Sequence, residues 1–374
     1  MATGSHPAVD WLLGSDEPAI RFLTRRDVLG EAVDEDGSEI MSGPKVTALL
    51  SGQRDDGAFR GEPGIIRRYR GNSRRPEDVI GVDHVPAGVA GHWKSTQWRL
   101  VSLVELAIPP GEPRTVAAAN YLLNDILDRR RNRFGPKIIN GLPRICVNAE
   151  GAALVIGSRL GMAADPRVQQ MAEALLDWQW PDGGWNCHRN ASGRRSNFHE
   201  SINAAWGLHE YAQATGDTAA AAAADRTAEL YLQHRLFYSL GTGIPSRFRP
   251  HPPPAGQVIN TRWLKLGYPS YWHYDILAVL MFLARIGRID DPRASDAVDL
   301  LARKRRPDGL WAADRQWWTP PESRFAHQHE VVDWGRAHQP SEMITLHVLR
   351  ILRAARRLTH VGSPTHRENT NQPA

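Results

Sequence analysis

Asp-Gly pairs recur at a fixed interval of 126 residues along this 374-residue chain, and this repeat limits the folds open to it. The pairs are Asp56-Gly57, Asp182-Gly183 and Asp308-Gly309. Trp185 and Trp311 keep the same interval, as do the Asp-Pro-Arg sequences at 165–167 and 291–293. A fixed interval of this kind is typical of one supersecondary unit that is used several times.

Each unit has the sequence pattern of a helical hairpin. Gly161 follows an apolar run and suits the left-handed conformation that ends a helix. Asp165 and Pro166 then supply an N-cap and a first-turn proline for a second helix, which ends at the Pro-Asp-Gly-Gly sequence 181–184. Because the unit at 287–309 repeats this order, we predict a series of helix pairs.

The helices of these pairs differ in polarity. Amphipathic segments are predicted at 44–52, 113–130, 166–179, 218–235 and 292–305. Segments that are apolar nearly all round are predicted at 93–107, 149–160, 199–214, 272–286 and 341–355. A helix without a polar face must be enclosed by others, and we find no pair of strand-like segments with a hairpin signal. The sequence therefore predicts an all-α fold, an α/α toroid of about five to six helical hairpins with the apolar helices inside.

The toroid is expected to occupy residues 41–358. Residues 1–40 are expected to form a helical extension packed outside it, and residues 359–374 a disordered tail. No apolar run reaches the roughly 18 residues that span a bilayer, and the N-terminus lacks the pattern of a secretory signal. These features predict a cytoplasmic protein, in which Cys146 and Cys187 are free thiols or metal ligands rather than a disulfide.

Arginine supplies most of the positive charge, since only five of the 46 basic residues are lysine. The net charge of the chain is +5. Arginine clusters occur at 67–70, 129–133 and 303–306. They are expected to form a solvated surface, although a guanidinium also suits an anionic substrate group such as a phosphate. Basic and aromatic residues do not alternate as in a groove for single strands, so we expect no nucleic-acid partner.

Three of the repeated segments carry a family resemblance: 53–59 (QRDDGAF), 179–185 (QWPDGGW) and 306–311 (RPDGLW). They resemble the Gln/Trp repeats of the superfamily that contains squalene-hopene cyclases and protein prenyltransferase β-subunits. More narrowly, the chain is similar to single-domain bacterial proteins described as squalene-cyclase-like. The resemblance covers about residues 40–355 and implies a toroid with its active site in the central cavity. The chain has neither the Asp-x-Asp-Asp acid motif of such cyclases nor the Asp-Asp-x-x-Asp motif of ionising terpene synthases.

The resemblance to prenyltransferases implies a zinc site in the mouth of the toroid. Those enzymes bind zinc through Asp, Cys and His, with the His after an aromatic residue at the start of an inner helix. Phe198-His199 resembles that position, Cys187 lies in the loop before it, and Cys146 begins the previous inner helix. Zinc held by Cys146, Cys187 and His199 would keep an open position for substrate. Buried structural thiols and a catalytic nucleophile are the alternatives, and the Asp-x-Cys pair of prenyltransferases is absent.

Ionisable residues mark the start of every predicted inner helix, which favours a functional cavity at that end. His273, Asp275 and Glu200 are the candidate acid and base groups, because burial raises the pKa of a carboxyl group toward that of a useful proton donor. The alternative for Asp275 is a helix cap. Five side chains are expected to contact the substrate, where aromatic faces stabilise cations: His92, Trp93, Tyr271, Trp272 and Tyr274.

Three functions remain open at this point. The leading hypothesis is an enzyme that cyclises, eliminates from or transfers an isoprenoid or similar apolar small molecule, with or without zinc. A second is a protein that binds an apolar ligand or partner without chemistry. A third is a glycan-active α/α-barrel enzyme, for which Glu150, Glu200 and Asp275 would provide the paired carboxylates.

Overall fold

Thirteen α-helices account for most of the secondary structure in the described part of the chain. The computed structural model describes residues 6–33, 37–59, 94–132, 135–189, 191, 193–241, 253–318 and 330–358. The helices are α1 (Pro7–Leu13), α2 (Pro18–Leu23), α3 (Ser38–Met41), α4 (Pro44–Leu50), α5 (Thr96–Glu105), α6 (Pro113–Asn132), α7 (Asn148–Arg159), α8 (Pro166–Trp178), α9 (Phe198–Thr215), α10 (Thr218–Gln233), α11 (Ile276–Arg285), α12 (Ser295–Arg303) and α13 (Glu342–Ala354). A π-helical turn, Thr24–Leu29, continues α2, and short 3-10 helices lie at Thr261–Leu264 and Pro292–Ala294. The predicted all-α class is confirmed, and the closed toroid stays a prediction.

The apolar helices form an inner layer. Helices α5, α7, α9, α11 and α13 contact one another in this order, each packing on the next. Most residues of α5, α7 and α9 are buried, because these helices have no polar face to present to solvent. The amphipathic helices pack outside: α6 lies on α5 and α7, α8 on α7 and α9, α10 on α9, and α12 on α11 and α13.

Helix α11 begins four residues later than predicted. The apolar pattern predicts a helix from residue 272, but the helix starts at Ile276, after the N-cap Asp275. Asp275 has an extended backbone (φ −152°, ψ 176°), and its side chain accepts a hydrogen bond from the Ala278 N–H. Tyr271 has φ +50°, which is not helical. Residues 271–274 therefore lie in the loop before the inner helix and not in its first turn.

A small β-hairpin joins α6 to α7. Strands β1 (Lys137–Ile139) and β2 (Leu142–Arg144) pair antiparallel, with Asn140 and Gly141 at the turn. Both turn residues have positive φ, 54° and 76°, the conformation that Asn-Gly favours in tight hairpins. The expectation that the sequence has no hairpin signal is wrong at this position.

The amino-terminal extension is more divided than predicted. Instead of one helix, residues 7–41 contain α1, α2 with its π-helical turn, and α3. Helices α1 and α2 and the π-helical turn pack on α13, and α3 packs on α2 and α4. Three hydrogen bonds join the segments: Ser15 Oγ donates to Glu342 Oε1 at 2.5 Å, Arg350 donates to the Asp27 carboxylate, and Arg353 donates to the Asp27 carbonyl at 2.9 Å.

The three Asp-Gly turns share one geometry. The glycines Gly57, Gly183 and Gly309 all have positive φ, between 85° and 97°. The residue four positions before each glycine donates a side-chain hydrogen bond to the glycine carbonyl, at 2.9 Å from Gln53, 2.9 Å from Gln179 and 3.1 Å from Arg305. The turns therefore occupy equivalent positions at the ends of outer helices.

The two repeated tryptophans also make equivalent contacts. The indole N–H of Trp185 donates to the Leu175 carbonyl at 3.0 Å, and that of Trp311 donates to the Leu301 carbonyl at 2.9 Å. Both rings are 1% exposed. Each backbone N–H donates to a hydroxyl of the following inner helix, from Trp185 to Ser201 and from Trp311 to Thr345. Each ring therefore ties an outer helix to the inner layer.

Gly183→Ala is expected to lower the free energy of unfolding by about 2–3 kcal/mol, because alanine strains at φ +97° and its Cβ would lie 2.5 Å from the Arg226 carbonyl oxygen. Gly216→Ala is the matched control, since Gly216 has φ +77° but no neighbour within 4 Å of the added Cβ. Urea unfolding of the two variants measures the difference. Equal losses in both would show that the close approach to Arg226 is unimportant.

Candidate active site

Glu200, in the first turn of α9, lies at the centre of a buried hydrogen-bond network. Its Oε1 accepts from the Cys187 thiol at 3.1 Å. Its Oε2 accepts from the Val147 N–H at 3.1 Å and from the Asn148 side chain at 3.2 Å. Burial raises the pKa of Glu200 above its usual value, although these hydrogen bonds act in the opposite direction. Burial also raises the pKa of both thiols, so Cys146 and Cys187 are protonated.

The network continues from Glu200 across the inner layer. The Asn203 side chain donates to the Asn148 side-chain oxygen at 3.3 Å and to the Tyr271 carbonyl at 2.9 Å. The Tyr271 hydroxyl in turn donates to the Glu330 carboxyl group. The amino ends of α7 and α9 are thus joined to the loop before α11 and to the segment before α13.

Glu330 is more deeply buried than Glu200, with 1% of its surface exposed against 7%. The Val331 N–H donates to its Oε1 at 2.6 Å. Burial raises the pKa of Glu330 to about 7, and the hydrogen bond from Tyr271 lowers it by a smaller amount. Near neutral pH the side chain is therefore divided between its acid and carboxylate forms. The Tyr271 ring packs edge-on against Trp98 of α5, with ring centres 5.4 Å apart.

His273 lies between two indole rings next to this network. Its ring stacks on Trp272 at 4.0 Å and on Trp317 at 3.5 Å between ring centres. The Arg315 guanidinium lies over the Trp317 ring, 3.8 Å from the ring centre. Burial, together with nearby His199 and Arg315, lowers the pKa of His273 to about 3. The imidazole is therefore neutral at physiological pH.

His199 points toward the aromatic side of the site. Its Nδ1 accepts a hydrogen bond from the Tyr274 backbone N–H at 2.8 Å, and the Trp263 indole nitrogen lies 3.3 Å from Nε2. Burial lowers the pKa of His199 to about 4. Its ring centre is 6.3 Å from that of His273. The two imidazoles thus belong to one aromatic cluster.

Asp275 uses both carboxylate oxygens in contacts with the protein. Oδ1 accepts from the Ala278 N–H at 2.9 Å, and Oδ2 accepts from Arg315 at 3.3 Å. The side chain is fully buried. Burial raises the pKa of Asp275 to about 6, against the opposing effect of Arg315. The helix-cap alternative considered from the sequence is thus observed, together with a buried ion pair.

The predicted site residues fall into two neighbouring groups. Cys146, Cys187, Glu200 and Tyr271 belong to the hydrogen-bond network, whereas the aromatic cluster contains His199, Trp272, His273 and Tyr274. His92 and Trp93 lie outside the described residues. Asn203, Glu330, Arg315 and Trp317 were not predicted. An asparagine inside an apolar helix was a usable signal for Asn203, because a buried amide needs hydrogen-bond partners.

The three predicted zinc ligands do not converge. Both thiols approach Glu200, whereas the ring nitrogens of His199 face Tyr274 and Trp263. In the described part of the chain, no group of three or more His, Cys, Asp or Glu side chains is placed to hold a metal ion. As placed, these side chains do not fit a three-ligand zinc site, and zinc stays a prediction.

A cavity of about 360 Å³ lies at the opposite, carboxyl ends of the inner helices. Residues of all five inner helices line it, together with the π-helical turn: Leu23, Arg26, Asp27, Val104, Glu105, Ala107, Arg159, Trp206, Met281, Ala284, Arg285, Arg350 and Ala354. This cavity was not anticipated, since the sequence analysis considered only the amino ends of these helices.

No family model matches the chain, and no curated protein matches it. Among solved structures, a protein from Actinoplanes is 18% identical with a TM-score of 0.40, over 94% of this chain and 98% of that one. The type II terpene cyclase MstE from Scytonema, as a variant in complex with the product merosterolic acid A, is 14% identical with a TM-score of 0.26, over 84% and 96% of the two chains. A second MstE variant, with the substrate geranylgeranyl dihydroxybenzoate, has a TM-score of 0.27 at 14% identity and the same coverage. None of the described helices is both long and apolar enough to cross a membrane.

Glu330 is expected to make stability depend on pH. Its pKa is about 7 in the folded protein and about 4.5 when unfolded, so the folded state binds the proton more tightly. The stabilisation is complete below pH 4.5 and is lost as the pH rises through 7, by up to about 3 kcal/mol. Because Asp275 titrates in the same direction, the measurement is the difference between wild type and Glu330→Gln in urea unfolding from pH 4.5 to 8.5. Parallel curves for the two proteins would contradict the assignment.

Proposed function

We propose that this protein is an enzyme that protonates an isoprenoid or similar apolar substrate at the amino ends of the inner helices. The observation that carries the proposal is Glu330, a buried carboxyl group whose pKa is raised to about 7 and whose oxygen accepts from Tyr271. A general acid is most effective when its pKa lies near the working pH. Glu330 meets this condition within the site.

Four other ionisable groups of the site are less suited to donate a proton. His199 and His273 are neutral, with pKa values lowered to about 4 and about 3. Asp275 is held as a carboxylate by Arg315 and by the Ala278 N–H at the amino end of α11. The Cys187 thiol donates to Glu200 and has a raised pKa. In our proposal, His273 and Asp275 shape the aromatic cluster, and Glu330 takes the acid role.

The proposed step is a proton transfer to a carbon–carbon double bond. The O–H bond of Glu330 breaks, the alkene π electrons form a new C–H bond, and a carbocation is left on the substrate. The Tyr271 hydroxyl and the Val331 N–H are placed to stabilise the resulting Glu330 carboxylate. The faces of Trp98 and Tyr271 would stabilise the cation. Loss of a proton from a neighbouring carbon, or capture by water, completes the reaction and returns one proton to the solvent. The Glu330 carboxylate then takes up one proton from the solvent, which restores the acid.

Deuterium labelling tests the proposal. The protein is incubated in D₂O with squalene, with geranylgeraniol and with its diphosphate, and the products are analysed by mass spectrometry. We expect a cyclised or isomerised product that carries one deuterium on carbon from the enzyme acid. Unlabelled product with release of diphosphate would instead indicate ionisation. Binding without product would indicate a carrier protein. Release of reducing sugar from glycans would indicate a glycan-active α/α-barrel enzyme. Each of these outcomes overturns the proposal.

Zinc is a separate proposal that this step does not need. Elemental analysis of the purified protein and of Cys187→Ser tests it. Zinc binding would require the two thiols and His199 to rearrange around the metal, and it would then give about one zinc per chain in the wild type and a loss in the variant. Absence of zinc from the wild type purified without chelator would remove the metal and leave the proton transfer unaffected.

A further inference from the structure

The cavity at the carboxyl ends of the inner helices has a surplus of positive charge. Four arginines line it: Arg26, Arg159, Arg285 and Arg350. Three carboxylates pair with them: Asp27, Glu105 and Glu210. Cations are favoured at helix carboxyl ends, which explains part of this clustering. Four positive charges against three negative ones nevertheless leave one charge unbalanced beside this partly open cavity.

Three of the four arginines are held firmly by carboxylates. Arg159 donates two hydrogen bonds to Glu210, at 2.6 and 2.7 Å. Arg26 donates to Asp27 at 2.7 Å, and Arg350 donates to the same carboxylate. These side chains have fixed positions and partners.

Arg285, the last residue of α11, is different. Its ion pair with Glu105 is 3.6 Å long, which exceeds an ordinary hydrogen bond, and its guanidinium donates no hydrogen bond within the part of the chain that the structure describes. The guanidinium lies over the face of Trp206, 4.2 Å from the ring centre. Burial lowers the pKa of Arg285, which reflects incomplete compensation of its charge. A largely buried guanidinium with spare donors therefore lines the cavity.

The remainder of the wall is apolar, with Leu23, Val104 and Met281 among its side chains. A volume of about 360 Å³ holds about twelve non-hydrogen atoms at ~30 Å³ each. The planar guanidinium matches a carboxylate, with two parallel hydrogen bonds. We propose that this cavity binds a monoanionic amphiphile, a carboxylate with an aliphatic chain of about ten carbons, with its head group on Arg285. The proposal is independent of the acid function, because Glu330 does not line this cavity.

Calorimetry with the full chain tests this site, with decanoate as the probe and with 1-decanol and acetate as comparisons. We expect decanoate to bind at least tenfold more tightly than decanol, which has the chain without the charge, and acetate not to bind. Arg285→Gln should weaken decanoate at least tenfold and leave decanol unchanged. Arg293→Gln is the matched control, since Arg293 pairs with Asp291 and Glu229 outside the cavity, and it should change nothing.

A second variant keeps the test decisive if Arg285→Gln does not fold. Ala354→Leu adds volume to the cavity wall without altering its charge, and it should abolish binding of decanoate and decanol alike. Circular dichroism of each variant without ligand establishes that it is folded. Three results would overturn the proposal: decanol binding as tightly as decanoate in the wild type, undiminished decanoate binding by folded Arg285→Gln, or undiminished decanoate binding by folded Ala354→Leu.

Discussion

Glu330→Gln is expected to reduce kcat by about 10²–10⁴-fold, the usual contribution of a general acid. The amide keeps the shape of the carboxyl group and can accept from Tyr271, but it has no acidic proton. The measurement is the rate of formation of the deuterium-labelled product. Glu173→Gln, a change on the exposed face of α8, is the matched control and should leave the rate unchanged.

A merely structural role for Glu330 would give a different combination of results. At pH 8 a buried carboxylate is costly, so Glu330→Gln should be at least as stable as the wild type while it is nearly inactive. Tyr271→Phe should retain part of the activity, because it removes one donor to the carboxylate but leaves the acid in place. Loss of activity that follows loss of folding in all variants would remove Glu330 from the chemistry.

Trp311→Ala is expected to lower the free energy of unfolding by about 3–5 kcal/mol, as large truncations in cores do. The ring is 1% exposed, and its indole N–H donates to the Leu301 carbonyl at the end of α12. The variant would lose both the packing and the partner of that carbonyl. Thermal and urea unfolding, analysed together, measure the loss.

Two further variants separate the contributions of the tryptophan. Trp311→Phe retains most of the apolar volume and should cost much less, with the lost hydrogen bond contributing about 1 kcal/mol. Trp185→Ala should match Trp311→Ala, because its ring makes the equivalent bond to Leu175. An unchanged melting curve for Trp311→Ala, combined with lost activity, would mean that this ring has a functional role instead.

The fold was predictable where local signals agreed with one another. Asp165, Pro166 and the apolar run after them specify a helix start, and α8 begins at Pro166 with Asp165 as its cap. The loop at 271–274 was not predictable in this way. Its apolar residues continue the period of α11, and only tertiary contacts, such as the His199 bond to the Tyr274 N–H, hold it out of the helix.

The site was predictable in part for a similar reason. Cys187, Glu200 and Tyr271 lie beside helix starts, which the repeat identifies, so their convergence could be expected. Glu330 lies in a stretch without periodicity, before α13, and nothing local distinguishes it from a surface glutamate. Its burial and raised pKa arise from contacts with Tyr271, 59 residues away in the chain. Sequence patterns carry no information on such a pairing.

The packing of the amino-terminal helices on α13 has a consequence for synthesis of the chain. Ser15 and Glu342, which bind each other, are 327 residues apart. At the usual ribosomal rate of about 5–20 residues per second, roughly 15–65 s pass between the synthesis of these two residues. During that interval the apolar faces of α1 and α2 are outside the ribosome, whereas α13, which covers them in the folded protein, has not yet been synthesised. The apolar faces of α1 and α2 are therefore open to aggregation and to chaperone binding until α13 has been synthesised.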